Sequence, residues 1–362
     1  MSLFYIRDVE QTKEQIDMLT QEELFSVNIH HMRKSLFKYY PNSTKKVGGV
    51  DRNFSIEALK NNTVYLASPS EFDDPYDCNI YIDGKAFALQ RIKYYASLCG
   101  ICIQQEWEYE DIARRLATYI YQHLSLGRKV HTLFRLDENN SLVRAYQENF
   151  LLCLEYELSK QNADSQSYYK AFQQVIDEEY RSIQESANRF RISCFAQTPY
   201  SLLMWSHYAR YHQGFCIEYE TPELNDINEP IYRNLFPVIY TDTRTDLLSI
   251  GINWKSTGTL TNNELWDFYK YGLLSKSLDW KYQQEWRLVS CDNLITDNNY
   301  NCTFFKIKKV YLGNKMPAKD RVEIIDICKK KGIPYTGVII APDRFKMNDC
   351  DVLCENCDKM ML

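Results

Sequence analysis

The chain has 362 residues, 45% hydrophobic and 25% charged, with a formal net charge of −5. That is the balance of a soluble globular protein with one large core or two modest ones, and the acidic excess argues against a dominant non-specific hold on nucleic acid. Glycines number 12 against 28 tyrosines, and neither G-x-G-x-x-G nor G-x-x-x-x-G-K-[ST] occurs, which argues against nucleotide loops built from glycine.

The N-terminus lacks the apolar stretch of a secretory leader, and no apolar run reaches the roughly 18 residues of a membrane span. The expectation is a cytoplasmic protein with no membrane partner, whose 12 cysteines are mostly reduced. Cys99-Gly-Ile-Cys102 and Cys350/Cys354/Cys357 have ligand-like spacing, but a packing role and a bland tail are the simpler readings.

In chain order, residues 1–33 read as a helical lead-in. A first part of an α+β core follows over 34–84. It holds a strand at Ser35–Tyr40, a polar loop through Gly49, a short helix stopped at Asn61-Asn62 and a strand from Thr63, which leads into the acidic loop Ser68–Asp77. Over 85–190 proline is absent and apolar residues recur every three or four positions. The pattern predicts an inserted α-helical subdomain with helices near 87–101, 107–125, 141–160 and 167–189, a surface able to recruit a partner protein.

The second part of the core, 191–345, opens on a strand–helix–strand unit. Its pieces are a strand from Arg191, a helix over Tyr200–Tyr211 stopped by Gly214, and a strand over Phe215–Glu220. A strand near Phe236, at a sheet edge because of Pro237, precedes a helix over Asn263–Leu278. Trp280 to Ser290 enters a strand, Phe304–Leu312 is another, and a helix over Lys319–Lys331 closed by Gly332 leads to a last strand near Thr336. Residues 346–362 are a cysteine-containing tail. The fold class is α+β, with a mixed or antiparallel central sheet.

Four stretches together resemble the bacterial family known as domain of unknown function 2971. They are Leu36-Phe-Lys-Tyr-Tyr, Val64 through Asp77-Cys78, Met204-Trp-Ser-His-Tyr-Ala with His212-Gln-Gly-Phe, and Lys276 through Gln284-Glu-Trp-Arg. The order of elements also resembles ADP-ribosyltransferases, which implies an ADP-ribosyltransferase-like core and NAD as substrate, with no metal expected. In that likeness Glu285 stabilises the ribosyl cation, and Lys38, Tyr39, Tyr65, Ser68, Asp74 and Arg287 line the dinucleotide site. His207 and Tyr208 join Glu285 as catalytic candidates, with Glu218 beside them on the acceptor side. The acceptor is an unknown macromolecule, protein or nucleic acid, and the implied setting is antiviral defence or a toxin.

Two other classes stand beside this one. Asp73, Asp74 and Asp77 are spaced for a metal-dependent nuclease. The aromatic stretch at 200–220 equally suits a non-enzymatic, partner-binding protein. Residue by residue, Glu285 with Arg287 reads equally as a surface ion pair, and His207 as a hydrogen-bonded structural histidine.

Overall fold

The computed structural model describes residues 4–6, 9–21, 23, 35–162, 164–221, 230–252, 260–290 and 294–350. Two compact units emerge, one of Met1–Cys78, Asn188–Thr243 and Leu274–Leu362, the other of Asn79–Ala187 and Arg244–Leu273.

The first unit is built on sheets. Ser35–Tyr40 and Phe215–Glu220 are buried on both faces apart from the half-buried Lys38 and the exposed Glu220, and their buried polar members Ser35 and Glu218 hydrogen-bond each other. They belong to a five-stranded sheet ordered Met347–Asp349, Tyr335–Ile340, Ile307–Leu312, Phe215–Glu220, Ser35–Tyr40. Its pairs are antiparallel except Ile307–Leu312 with Tyr335–Ile340, which the crossover helix Ala318–Lys331 makes parallel. A second, antiparallel sheet holds Trp286–Ser290 between Arg191–Phe195 and Leu235–Pro237. Phe37 exchanges both backbone hydrogen bonds with Ala196, at 2.9 and 2.7 Å, and so ties the two sheets together. The α+β expectation with mixed and antiparallel sheets holds, and Pro237 lies on an edge strand as its missing N–H demands.

Alternation splits the core. Leu36, Tyr40, Ile217, Phe195, Trp286 and Leu288 pack on one face. Phe37, Tyr39, Cys216, Tyr311 and Trp205 pack on the other, beneath the helix Leu202–Tyr208.

Several local expectations yield to tertiary pairing. The lead-in holds the strands Phe4–Ile6 and Val9–Gln11 before a short capped helix Lys13–Met18, because Phe4–Ile6 finds a partner in Ile239–Thr241. The helix expected to run to Leu278 stops as Asn262–Phe268 and a π-helical turn Tyr269–Leu273. Ser275–Ser277 then forms a strand parallel to Ile239–Thr241. The expected polar loop through Gly49 forms part of a hairpin of two short strands, Lys45–Val47 and Val50–Arg52, exposed but for the half-buried Arg52.

In the second unit the helices Gly84–Leu98, Tyr109–Ser125, Ser141–Ser159 and Ser165–Gln184 stand where the apolar periodicity put them. Asp83, Asn140 and Asp164 cap three of them by accepting first-turn N–H bonds. Inside, Arg91 grips Glu179 through Nε and Nη2 at 2.9 and 3.1 Å, and Tyr146 adds a donor to the same carboxylate at 2.8 Å. Among the described residues, no helix is long and apolar enough to cross a membrane.

Candidate functional site

The strand Ser275–Ser277, the acidic loop and the entry to Trp286–Ser290 bring four opposite charges into one closed ring. Arg287 Nε donates to Glu285 Oε1 at 2.7 Å, and its Nη2 donates to Asp77 Oδ1 and Oδ2 at 2.7 and 2.9 Å. Lys276 Nζ completes the ring, 2.7 Å from Glu285 Oε2 and 2.9 Å from Asp77 Oδ2. All four residues are at most 8% exposed, and their charges sum to zero. Such a set is tolerable in an interior only because every member is paired and hydrogen-bonded.

Neighbours complete the bonding. Gln283 Oε1 accepts from Lys276 at 2.9 Å, and its Nε2 donates to the Tyr208 hydroxyl at 2.7 Å. The Glu285 N–H donates to the Tyr240 hydroxyl at 2.8 Å, and Arg287 Nη1 reaches Cys78 Sγ at 3.1 Å. Gln284, at φ 45°, makes the turn that carries Gln283 and Glu285 into the network. Burial alone would raise the Glu285 pKa, but Arg287 and Lys276 outweigh it and hold the carboxyl well below its usual range. Burial likewise disfavours the charged Lys276, yet Glu285 and Asp77 prevail and raise it.

Over this ring lie aromatic side chains. Lys276 Nζ is 5.3 Å from the Trp280 ring centre, and the exposed His207 ring lies 6.2 Å from Trp280 and 6.4 Å from Tyr282.

Of the expected site residues, the structure joins Glu285, Arg287 and Tyr208 in one network and places His207 beside it. Lys38 and Tyr39 leave opposite faces of their strand. Lys38 donates to Ser193 Oγ at 2.9 Å and Cys194 O at 3.0 Å, whereas Tyr39 packs edge-on to Trp205 with ring centres 5.3 Å apart. Burial lowers the Lys38 pKa, opposed by Cys194 and Glu285, so Lys38 senses the carboxylate without bonding it. Tyr65 donates to Glu71, and Ser68 Oγ pairs with Ser70 Oγ at 2.9 Å, both in a local turn. Asp74 Oδ1 accepts from the Tyr76 N–H at 2.9 Å, a local turn bond of the acidic loop.

The nuclease constellation does not assemble. Asp77 is spent on Arg287 and Lys276, and among the described residues no three His, Cys, Asp or Glu side chains are grouped to hold a metal ion. Cys99 is buried and Cys102 exposed, both as free thiols, and Cys354 and Cys357 lie outside the described residues.

Glu218 belongs to a second network. Its Oε1 accepts from Ser35 at 2.6 Å and pairs with Lys308 at 2.8 Å, while Oε2 accepts from Tyr311 at 2.7 Å. Sequence reasoning passed over Lys276 and Gln283 as partners of Glu285, because a lysine inside an expected amphipathic helix reads as solvated surface. The usable signal was Lys276, Gln283, Glu285 and Arg287 gathered within twelve residues that also hold Trp280, Tyr282 and Trp286.

The short helix Leu202–Tyr208 runs into an unusual backbone. Arg210, Tyr211 and His212 have φ of 48°, 55° and 69°, three consecutive left-handed residues without a glycine. Each costs on the order of 1–3 kcal/mol. The turn is locked by His212 N–H to Trp205 O at 3.1 Å and Gly214 N–H to Ala209 O at 2.8 Å. Behind it, a Cβ on Gly214 would fall 2.0 Å from Tyr40 O, and one on Gly313 2.1 Å from His212 O.

No curated protein and no solved structure matches the chain. The segment that holds the short helix, the left-handed turn, Lys276 and the Glu285–Arg287 pair, residues 204–288, matches the family model described as Protein of unknown function (DUF2971).

Proposed function

We propose that this protein is an ADP-ribosyltransferase-like enzyme that transfers ADP-ribose from NAD to a macromolecular acceptor, protein or nucleic acid, in the cytoplasm. Its core would then be a variant of the ADP-ribosyltransferase fold, and NAD consumption of this kind suits antiviral defence or a toxin. The observation that carries the reading is Glu285, a carboxylate kept ionised by Arg287 and Lys276 beside the Tyr208, Trp280 and Tyr282 side chains. The nicotinamide–ribose bond breaks with its electron pair leaving on nicotinamide, and a fixed anion lowers the energy of the ribosyl cation left behind. The aromatic rings offer stacking surfaces to nicotinamide. In this reading a ribose hydroxyl takes the place of Lys276 on Glu285 Oε2, and Lys276 keeps its bonds to Asp77 and Gln283. His207, being exposed, receives the proton of the acceptor nucleophile as that nucleophile bonds to the ribose carbon.

One observation favours a non-catalytic reading. Glu285 is 4% exposed, and both of its oxygens are already bonded, which suits a keystone that shapes a binding face. Nicotinamide release from NAD at millimolar concentration separates the two readings. Release by wild type, lost in both Glu285→Gln and the surface variant His207→Ala with folding verified, is the expected result. Folded wild-type protein that releases no nicotinamide would sink the transferase reading.

A further inference from the structure

The left-handed turn presents its first two side chains to solvent from a fixed backbone. Tyr211 is 73% exposed, Arg210 is exposed, and among the described residues neither side chain makes a hydrogen bond, ion pair or ring contact. Lys315, also exposed, adjoins the turn, its backbone N–H donating to His212 O at 3.1 Å. Glycine takes positive φ without strain, so an arginine and a tyrosine here cost stability that their own side chains do not return, the turn being held by its backbone hydrogen bonds.

We propose that Arg210, Tyr211 and Lys315 form a binding element for single-stranded nucleic acid. Arg210 and Lys315 meet phosphodiester oxygens, and the Tyr211 ring stacks on a base. Both cations lie on the protein surface without a carboxylate partner among the described residues, the arrangement that attracts a polyanion locally in a chain of net charge −5. A phenol 73% exposed and without a ring contact suits stacking, which is tolerant of sequence because every base has a π-face. The locked backbone means that little loop freedom is lost on binding. Binding requires no turnover of NAD, so its failure and that of the transferase reading are separate results.

The test is fluorescence anisotropy of the full-length protein with a labelled single-stranded oligonucleotide, at low and at physiological salt. Wild type is expected to bind and to weaken as salt rises. Tyr211→Gly is expected to bind about 5-fold or more weakly, the loss of one stacked base, and Arg210→Gly to flatten the salt dependence. Both variants should unfold at the wild-type temperature or above it, since glycine relieves the left-handed strain, so misfolding cannot imitate the loss. Absence of binding by wild type, wild-type affinity in Tyr211→Gly, or equal competition by a polyglutamate peptide would each overturn the proposal.

Discussion

Replacing Lys276 with methionine removes one cation from a four-charge ring and keeps the length of the side chain. The two ion pairs that disappear with it, at 2.7 Å to Glu285 and 2.9 Å to Asp77, are each worth about 6 kcal/mol of attraction at an effective dielectric of about 20. Desolvation offsets much of that gross attraction in the wild type. What remains in the variant is a net buried negative charge with three acceptors, on Glu285, Asp77 and Gln283, each short of a donor. The expected loss is about 3–5 kcal/mol, or roughly 6–20 °C in the unfolding midpoint of a unit this size. Lys276→Met combined with Glu285→Gln restores neutrality, because the Asp77–Arg287 pair survives. The double variant should regain at least about 1 kcal/mol over the single one. Thermal unfolding followed by circular dichroism measures both. A midpoint within about 2 °C of wild type for the single variant, or simple additivity in the double, would refute the ring as a coupled buried unit.

The same ring sets a pH dependence. Glu285 has a folded pKa below the unfolded value of about 4.3, so its contribution is complete above that value and is lost as pH falls through the folded pKa. Lys276 has a folded pKa above its unfolded value of about 10.4, so its contribution is complete below that and fades as pH rises through the folded pKa. Urea titrations should therefore show a plateau between roughly pH 5 and 10 that falls on the acid side, and Lys276→Met should steepen no part of the alkaline side. Gly214→Ala should fail to fold or lose more than about 3 kcal/mol, because its Cβ would meet Tyr40 O at 2.0 Å and backbone cannot step aside; a soluble variant with a wild-type midpoint would contradict the geometry. Trp205→Ala, emptying a site with 0% exposure and the Nε1 bond to Pro199 O at 2.7 Å, should cost about 3–5 kcal/mol by the same assay.

Local pattern was enough wherever one segment decides its own state. The helices from Gly84 to Gln184 follow from apolar residues recurring every three or four positions, with Asp or Asn at the start of three of the four, and Ser35–Tyr40 and Phe215–Glu220 follow from short runs rich in aromatic and aliphatic residues. The same stretches that resembled DUF2971 hold Glu285, Arg287 and Tyr208, so these members of the buried charge network were legible although its wiring was not. Tertiary structure decided what depends on distant partners. Lys276 is in a strand because Ile239–Thr241 offers it an edge, which turns an expected surface lysine into a buried one. Asp77 reaches Arg287 across 210 positions of chain, and no local rule separates it from Asp73 and Asp74. The left-handed turn at Arg210–His212 violates every local preference for glycine, and survives because Trp205, Tyr40 and Gly313 leave the backbone no other path. Sequence determined the long helices, the strands rich in aromatic and aliphatic residues and where polar chemistry gathers. Only long-range pairing, which pattern within a segment does not encode, determined which charges neutralise which and which side chains remain free to bind.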